Sequence, residues 1–416
     1  MKRFLSPLIL FIGIFLVAQL CQPYTFIYQE QDGLFLWTGD YFTRMLRFPL
    51  PLSGIVGDYL TQFFRYQYVG PVIAALEGVL VFFLVRGILS RFRLGWDVLS
   101  ALLACIAWVA MAFAPSAKTG VAILLLLLPV FLLSRLLPPA PTRPLKAWVE
   151  WGGTAVLVLG VGIFLALDSR IGSREKTSAL RVSVIQSDWN ALLSVATPEA
   201  VREDRSMLPF AMMALGGKGQ LGDRIFDYDI QSEDDFDMAD QEDSYVSLFF
   251  RGFLYEQLQC PNEAVHNFFQ LATVQPHGQS FLVLRQLVSD HYRMGNFTLA
   301  RKYLAILSRS SCNGRFVKYY EALLRKGVPR EADSLAFRKT VPLMSHDPFY
   351  NLFTLDANGF RSQFLIDRVL CTLLLRDDLS KFKTLFLSVR DLYPVVPRYY
   401  QRALEMQNPL PGIDYE

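Results

Sequence analysis

Charge is what this 416-residue chain has little of. Asp, Glu, Lys and Arg make up 19% of it against 52% hydrophobic residues, a balance outside the range of soluble globular proteins. The net charge of +3 is too small for a nucleic-acid footprint, and the basic residues form no stripe interleaved with aromatics. Nucleic acid is therefore excluded as a partner. Cysteine is equally sparse: Cys21, Cys105, Cys260, Cys312 and Cys371 show no CxxC spacing, and their odd number argues against a disulfide framework. The four histidines, His266, His277, His291 and His346, match no HExxH or zinc-finger pattern, so neither metal nor cofactor is expected. No GxSxG elbow and no Walker-type loop occurs, which removes the common enzyme classes.

The apolar residues are unevenly spread. Residues 1–170 hold long apolar runs, and residues 171–416 read like a soluble helical domain. A bilayer core about 30 Å thick takes roughly 17–25 apolar residues as a helix. Five stretches qualify: Phe4 to Leu20, Val69 to Val85, Val98 to Ala114, Thr119 to Leu137 and Ala147 to Leu167. Trp96, Trp148 and Trp151 stand near expected ends, where interfacial tryptophans belong. Lys2 and Arg3, then Arg86, Arg91 and Arg93, then Arg135, Arg143 and Lys146 all fall on one side; Arg44, Arg47, Arg65 and Lys118 fall on the other. The positive-inside rule then predicts a cytoplasmic N-terminus, and five spans send the C-terminal half to the periplasm of a bacterial inner membrane. A cleaved signal peptide is the alternative for the first segment, but Ala18-Gln19-Leu20 puts leucine where a small residue is needed.

The expected organisation is all-α: a polytopic membrane domain over 1–170 with a large outer loop (21–68), a helical pair with an acidic linker over 171–243, and an α-solenoid over 244–416. In the last part, Gly252, Tyr255, Ala264, Phe268, Leu271 and Pro276 fall at tetratricopeptide offsets. A second copy offers Tyr292, Gly295, Phe297, Ala300, Tyr303 and Leu307. Small residues at the Ala positions let paired helices approach, and large ones fill the gap to the next pair. A plain helical bundle is the alternative. "FDYDIQSEDDFDMADQEDSY", from Phe226, carries nine acids and no base. It lacks the glycine and glutamate register of an EF-hand, so a solvated linker is expected.

Two places invite chemistry. Glu77 lies inside "PVIAALEGVLVFF", where an acid costs about 2.5–3.5 kcal/mol and normally faces a cavity or partner. The outer loop holds Glu30, Asp32, Asp40 and Asp58 among aromatics, in a stretch spaced for amphipathic helices that lie along the interface. Carboxylates there are candidates for metal or base roles, or are solvated caps.

"YQEQDGLFLWTGDYF" followed by "LTQFFRYQYVGP", then "MALGGKGQLGDRIFDY" and "VVPRYYQRAL", resemble an uncharacterised multi-pass membrane protein family of Bacteroidota, of unknown function. The resemblance covers most of the chain. That family's first loop has a neutral residue after the glutamate and a glycine pair where this chain has Ser53-Gly54. The resemblance thus favours Glu30 over Asp32, implies repeats outside an inner-membrane core and brings no reaction. The leading expectation is a non-enzymatic envelope protein that contacts membrane lipids and displays the repeats to a protein partner. The rival is an enzyme similar to glycosyltransferases that use lipid-linked sugars. Glu30 would then be catalytic, Asp32 and Asp40 would support it, and Arg44 or Arg47 would hold a lipid phosphate. A transporter, the third reading, rests on Glu77 alone.

Overall fold

The computed structural model describes residues 4–94, 96–138, 145–236, 238, 244–275, 278–326, 350, 354 and 362–406. Among these no strand occurs. The chain divides into two compact units, Met1–Val182 with Ile306–Val317, and Ser183–Ala305 with Lys318–Glu416.

In the first unit, α1 (Leu5–Cys21), α5 (Val69–Leu89), α6 (Asp97–Phe113), α7 (Ala117–Ser134) and α8 (Ala147–Leu167) pack around Leu10, Ile14, Ala75, Phe82, Ala104 and Trp108. Their outward faces are apolar too: Leu8 and Ile12 of α1, Leu80 of α5, Leu126 of α7 and Val156 and Leu159 of α8 are all exposed. A helix apolar all round needs apolar surroundings on every side. Lipid provides them without driving the helices together, so small residues at the seams do that by close approach. A Cβ at Gly13 would stand 2.0 Å from Val158, and one at Gly78 would stand 2.3 Å from Ile14.

Three described helices are long and apolar enough to cross a membrane: Val69–Phe92, Ala117–Ser134 and Ala147–Leu167. A fourth is counted if α1 and α2 (Pro23–Asp32), bent by 77° at their junction, form one span. α6 is apolar but has 17 residues, about 25 Å at 1.5 Å per residue. The expected five spans are thus three to four by length, with two segments at the short limit.

The stretch between α1 and α5 folds into α2, α3 (Gly39–Met45), α4 (Pro51–Thr61) and a 3₁₀ turn, Gln62–Arg65. α9 (Ser169–Gln186) follows the last apolar helix.

The second unit contains α10 (Trp189–Val195), α11 (Pro198–Glu203), α12 (Leu208–Gly217) and α13 (Leu221–Arg224). There follow α14 (Tyr245–Gln257), α15 (Pro261–Val274) and α16 (Phe281–Arg293), then α17 (Phe297–Leu307) up to Ala305 and α18 (Gly314–Lys326) from Lys318. Helices Gln363–Leu375, Leu379–Ser388 and Arg398–Glu405 follow among the described residues. α12 is buried from Leu208 to Gly216, which its uninterrupted "LPFAMMALG" requires.

α15 packs against both α14 and α16. Gly252 is the contact point between the first two, because a Cβ there would meet the Phe268 ring at 2.6 Å. Ala264, Phe268, Ala300 and Leu307 have no exposure, Tyr292 and Tyr303 are buried, and Tyr255 is half-buried. Gly295 turns the chain after α16 at φ +76°, a left-handed conformation that favours glycine. Pro276, His277 and His346 lie outside the described residues.

Acids of the stretch expected to be a solvated linker are engaged by arginines of the same unit. Asp227 pairs with Arg398 at 2.7 Å, Glu233 with Arg376 at 2.6 Å and Asp235 with Arg205 at 3.1 Å, while Phe236 and Met238 are buried.

Candidate functional site

The break after α1 is written in "CQP". Gln22 precedes a proline, which disfavours helical backbone there, and it adopts φ −141°, ψ 26°; Pro23 then starts α2 without needing a hydrogen-bonded N–H. The bend leaves the first amides of α2 without intrahelical partners, and the C-terminus of α6 leaves its last carbonyls in the same position. Two adjacent residues of α9 supply them. The Glu175 carboxylate accepts the Tyr24 N–H (2.7 Å), the Thr25 N–H (2.9 Å) and the Thr25 hydroxyl (2.7 Å). Arg174 donates to the Ala112 carbonyl (3.2 Å) and the Phe113 carbonyl (2.9 Å). An anion at a helix N-terminus and a cation at a C-terminus both oppose the local dipole charge. Burial pushes the Glu175 carboxyl up, and its three bonds to Thr25 and Tyr24 pull it down. The Gln22 side chain also donates to Ala112 (3.2 Å), and Gln29 donates to the Pro115 carbonyl.

Beneath this junction lies a cavity of about 30 Å³, lined by Ile14, Gln22, Phe64, Glu77, Trp108 and Ser116 among others. Glu77 is 6% exposed, and its Oε1 has no hydrogen-bond partner.

Above it, α4 lies against the start of α7 so closely that a Cβ at Gly57 would stand 2.7 Å from the Lys118 backbone. The approach brings Lys118 Nζ to 2.8 Å from Asp58, whose other oxygen accepts the Tyr41 hydroxyl at 2.9 Å. Burial first, then the Asp58 charge, pushes the Tyr41 hydroxyl far above its ordinary value.

The candidate residues between α1 and α5 fall in different environments. Glu30 is fully buried and accepts a 2.8 Å bond from Gln31, whereas Asp32 and Asp40 are exposed. Arg44 is half-buried with its guanidinium 6.0 Å from the Tyr41 ring centre, and Arg47 is exposed. Between them and α4 the surface is apolar, with Leu46, Phe48, Leu50, Leu52 and Val56 exposed. Among the described residues no three His, Cys, Asp or Glu side chains group as a metal site would require.

The segment 306–317 belongs to this unit, and the loop helices bind its backbone. The Trp37 N–H donates to the Arg309 carbonyl (2.9 Å), Trp37 Nε1 to Ser311 Oγ (2.9 Å) and Arg65 to the Cys312 carbonyl (2.7 Å); Gln62 Oε1 accepts the Ser311 N–H (3.0 Å). Gln22, Arg174, Glu175, Gln62 and Lys118 thus organise the site without any motif marking them. The signals available were the Gln-Pro break and an Arg-Glu pair just after the last apolar helix.

In the second unit, "GQLGDRIFDY" and "VVPRYYQRAL" meet. A Cβ at Gly222 would lie 2.6 Å from the Tyr400 ring and 2.8 Å from Pro397, and Asp223 accepts the Arg398 N–H at 2.7 Å. Tyr400 and Tyr393 both donate to Asp367, at 2.9 Å and 2.7 Å. Burial pushes Asp367 up to about 6 while the tyrosine bonds pull it down. A second buried acid, Asp290, shares Arg293 with Glu256: the guanidinium lies 3.6 Å from Asp290 and 3.4 Å from Glu256. Burial and the neighbouring carboxyl raise Asp290 well above the usual range; burial raises Glu256. His291 stacks on Tyr303, with ring centres 5.6 Å apart, and His266 is exposed.

A family model matches residues 1–167 and 115–408, that of the family of unknown function DUF6057. No curated protein and no solved structure matches the chain.

Proposed function

The chain belongs to the DUF6057 family of unknown function, and from that premise we propose that it is an integral inner-membrane protein holding a helical-repeat domain against another protein of the envelope. The observation that carries this is the succession α14, α15, α16, in which consecutive helices pack on one another through Gly252, Phe268 and Ala264. The fully buried Ala300 repeats the Ala264 position, which supports a tetratricopeptide-like solenoid. Solenoids bind partners along extended faces, and Phe269 of α15 and Tyr319 of α18 are exposed aromatics on these helices.

Five passes, with α1 and α6 as short spans, return the chain after α8 to the side of the outer loop. The bonds from Trp37, Gln62 and Arg65 to residues 309–312 support that common side. The distribution of Lys and Arg supports calling it periplasmic. The apolar rim from Leu46 to Val56, with Arg44 and Arg47 beside it, supports contact with lipid and its phosphates. The burial of Glu30 supports a structural role for that acid over contact with a substrate.

The test uses the full chain. Tagged wild type is expected to copurify one specific envelope protein after crosslinking, and Phe269→Glu with Tyr319→Glu is expected to lose it while membrane insertion is unchanged. Equal recovery from both chains rejects the reading.

A further inference from the structure

The helix break, the cavity beneath it and Glu77 lie together, and a repeat domain that binds protein uses none of them. An acid in the middle of an apolar helix is costly and normally faces a cavity or a partner, and a buried acceptor without a hydrogen bond adds to that cost. Among the described residues no ion pair to Glu77 offsets this cost. Lys118, on the neighbouring α7, is taken by Asp58 at 2.8 Å. Space is left instead. A Cβ at Gly120 would stand 2.0 Å from Glu77 Oε2 and 2.8 Å from Oε1, so the carboxyl rests against the one kind of residue that leaves it room. Beside it the cavity of about 30 Å³ exceeds the ~10–15 Å³ that one water needs. Besides Glu77, Gln22 and Ser116 bring polar side chains to its lining, and Ile14, Trp108 and Met111 bring apolar ones.

We infer that Glu77 is a proton-exchange site of the membrane domain, its carboxyl giving a proton to, and taking one from, water in the cavity at the α1–α2 break. The step conserves atoms and charge: carboxylic acid and water on one side, carboxylate and hydronium on the other. A metal cation fits poorly, because hard cations take about 6–8 oxygen ligands and the cavity lining holds one carboxylate, one amide and one hydroxyl. Among the described residues no second charged or titratable side chain lines the cavity. Of the elements packed on α5, α1 carries Cys21, α2 Tyr24, Tyr28, Glu30 and Asp32, α6 Asp97 and Cys105, α7 Lys118, the turn Gln62–Arg65 its arginine, and the turn Ser90–Phe92 Arg91. Asp97 is held by Arg86 at 2.9 Å. The proton therefore responds to this one carboxyl.

The experiment places the full chain in lipid vesicles and treats it with a bilayer-soluble carbodiimide, which modifies protonated carboxyls. Mass spectrometry is expected to find the adduct on Glu77, falling about tenfold per pH unit once the carboxyl ionises, and Glu77→Gln is expected to abolish it. The infrared spectrum of wild type minus that of Glu77→Gln should show a titrating protonated-carboxyl band beyond those of Asp290, Glu256 and Asp367, which both chains share, and Glu77→Asp should retain it. A Glu77 adduct that is absent at every pH, insensitive to pH, or suppressed by sodium at fixed pH overturns the inference. Each readout is specific to Glu77, as an adduct on that residue or as a difference from Glu77→Gln with the same repeat helices, so this result and the copurification result stand apart.

Discussion

Asp367 shows what enclosure does to a single side chain. It is 1% exposed and accepts hydroxyl bonds from Tyr393 and Tyr400, yet burial holds it at about 6, against roughly 3.9 in an unfolded chain. Because the folded state binds the proton more tightly, the stabilisation is complete below about pH 4 and is lost as pH rises through about 6, a change on the order of 3 kcal/mol. Asp290 and Glu256 are raised as well and act with the same sign. Denaturant unfolding of the second unit followed from pH 4 to pH 7 is expected to show stability falling with pH, and Asp367→Asn is expected to flatten that slope without abolishing it. A wild-type slope of the opposite sign contradicts the assignment. Nothing in "FLIDRVLC" announces this role, since both tyrosines come from a segment 26 and 33 residues away.

At the scale of elements, the weak point is the start of α2. A helix restarted by proline right after a sharp bend has no local cap; its amides depend on Glu175, some 150 residues away. Glu175→Ala is expected to cost about 1–3 kcal/mol, the range for losing a charged hydrogen-bond partner, read as a lowered melting temperature of the full chain in detergent. Glu175→Gln keeps an acceptor oxygen and is expected to lose less. Equal melting of all three chains contradicts a capping role. The break itself was legible, because Gln22-Pro23 obeys a local steric rule. Its partners were not, because a cap in trans leaves no spacing in the sequence.

For the whole molecule, the decisive quantity is the number of crossings. Charge asymmetry and five apolar segments predict that a reporter fused to the C-terminus is active in the periplasm and silent in the cytoplasm. Cytoplasmic activity means an even number of crossings, with α1–α2 or α6 as the segment that fails to cross, since these are the short or bent ones. That would also separate residues 309–312 from the outer loop they bind.

Much of this protein follows from its sequence alone. Long apolar runs without charge must be helices that satisfy their own backbone and seek lipid, and the recurrence of Gly252, Ala264, Phe268 and Ala300 implies helices in close-packed pairs. Both are local or periodic properties, visible without knowing what touches what. The tertiary structure decided the rest: Glu30 enclosed while Asp32 and Asp40 stay in solvent, Asp58 taken by Lys118, and acids of an apparently solvated linker held by Arg205, Arg376 and Arg398. It also set Glu77 against Gly120 beside a cavity. A carboxylate's role depends on the charge, the water and the room around it, and here each of these comes from a part of the chain far from the acid itself.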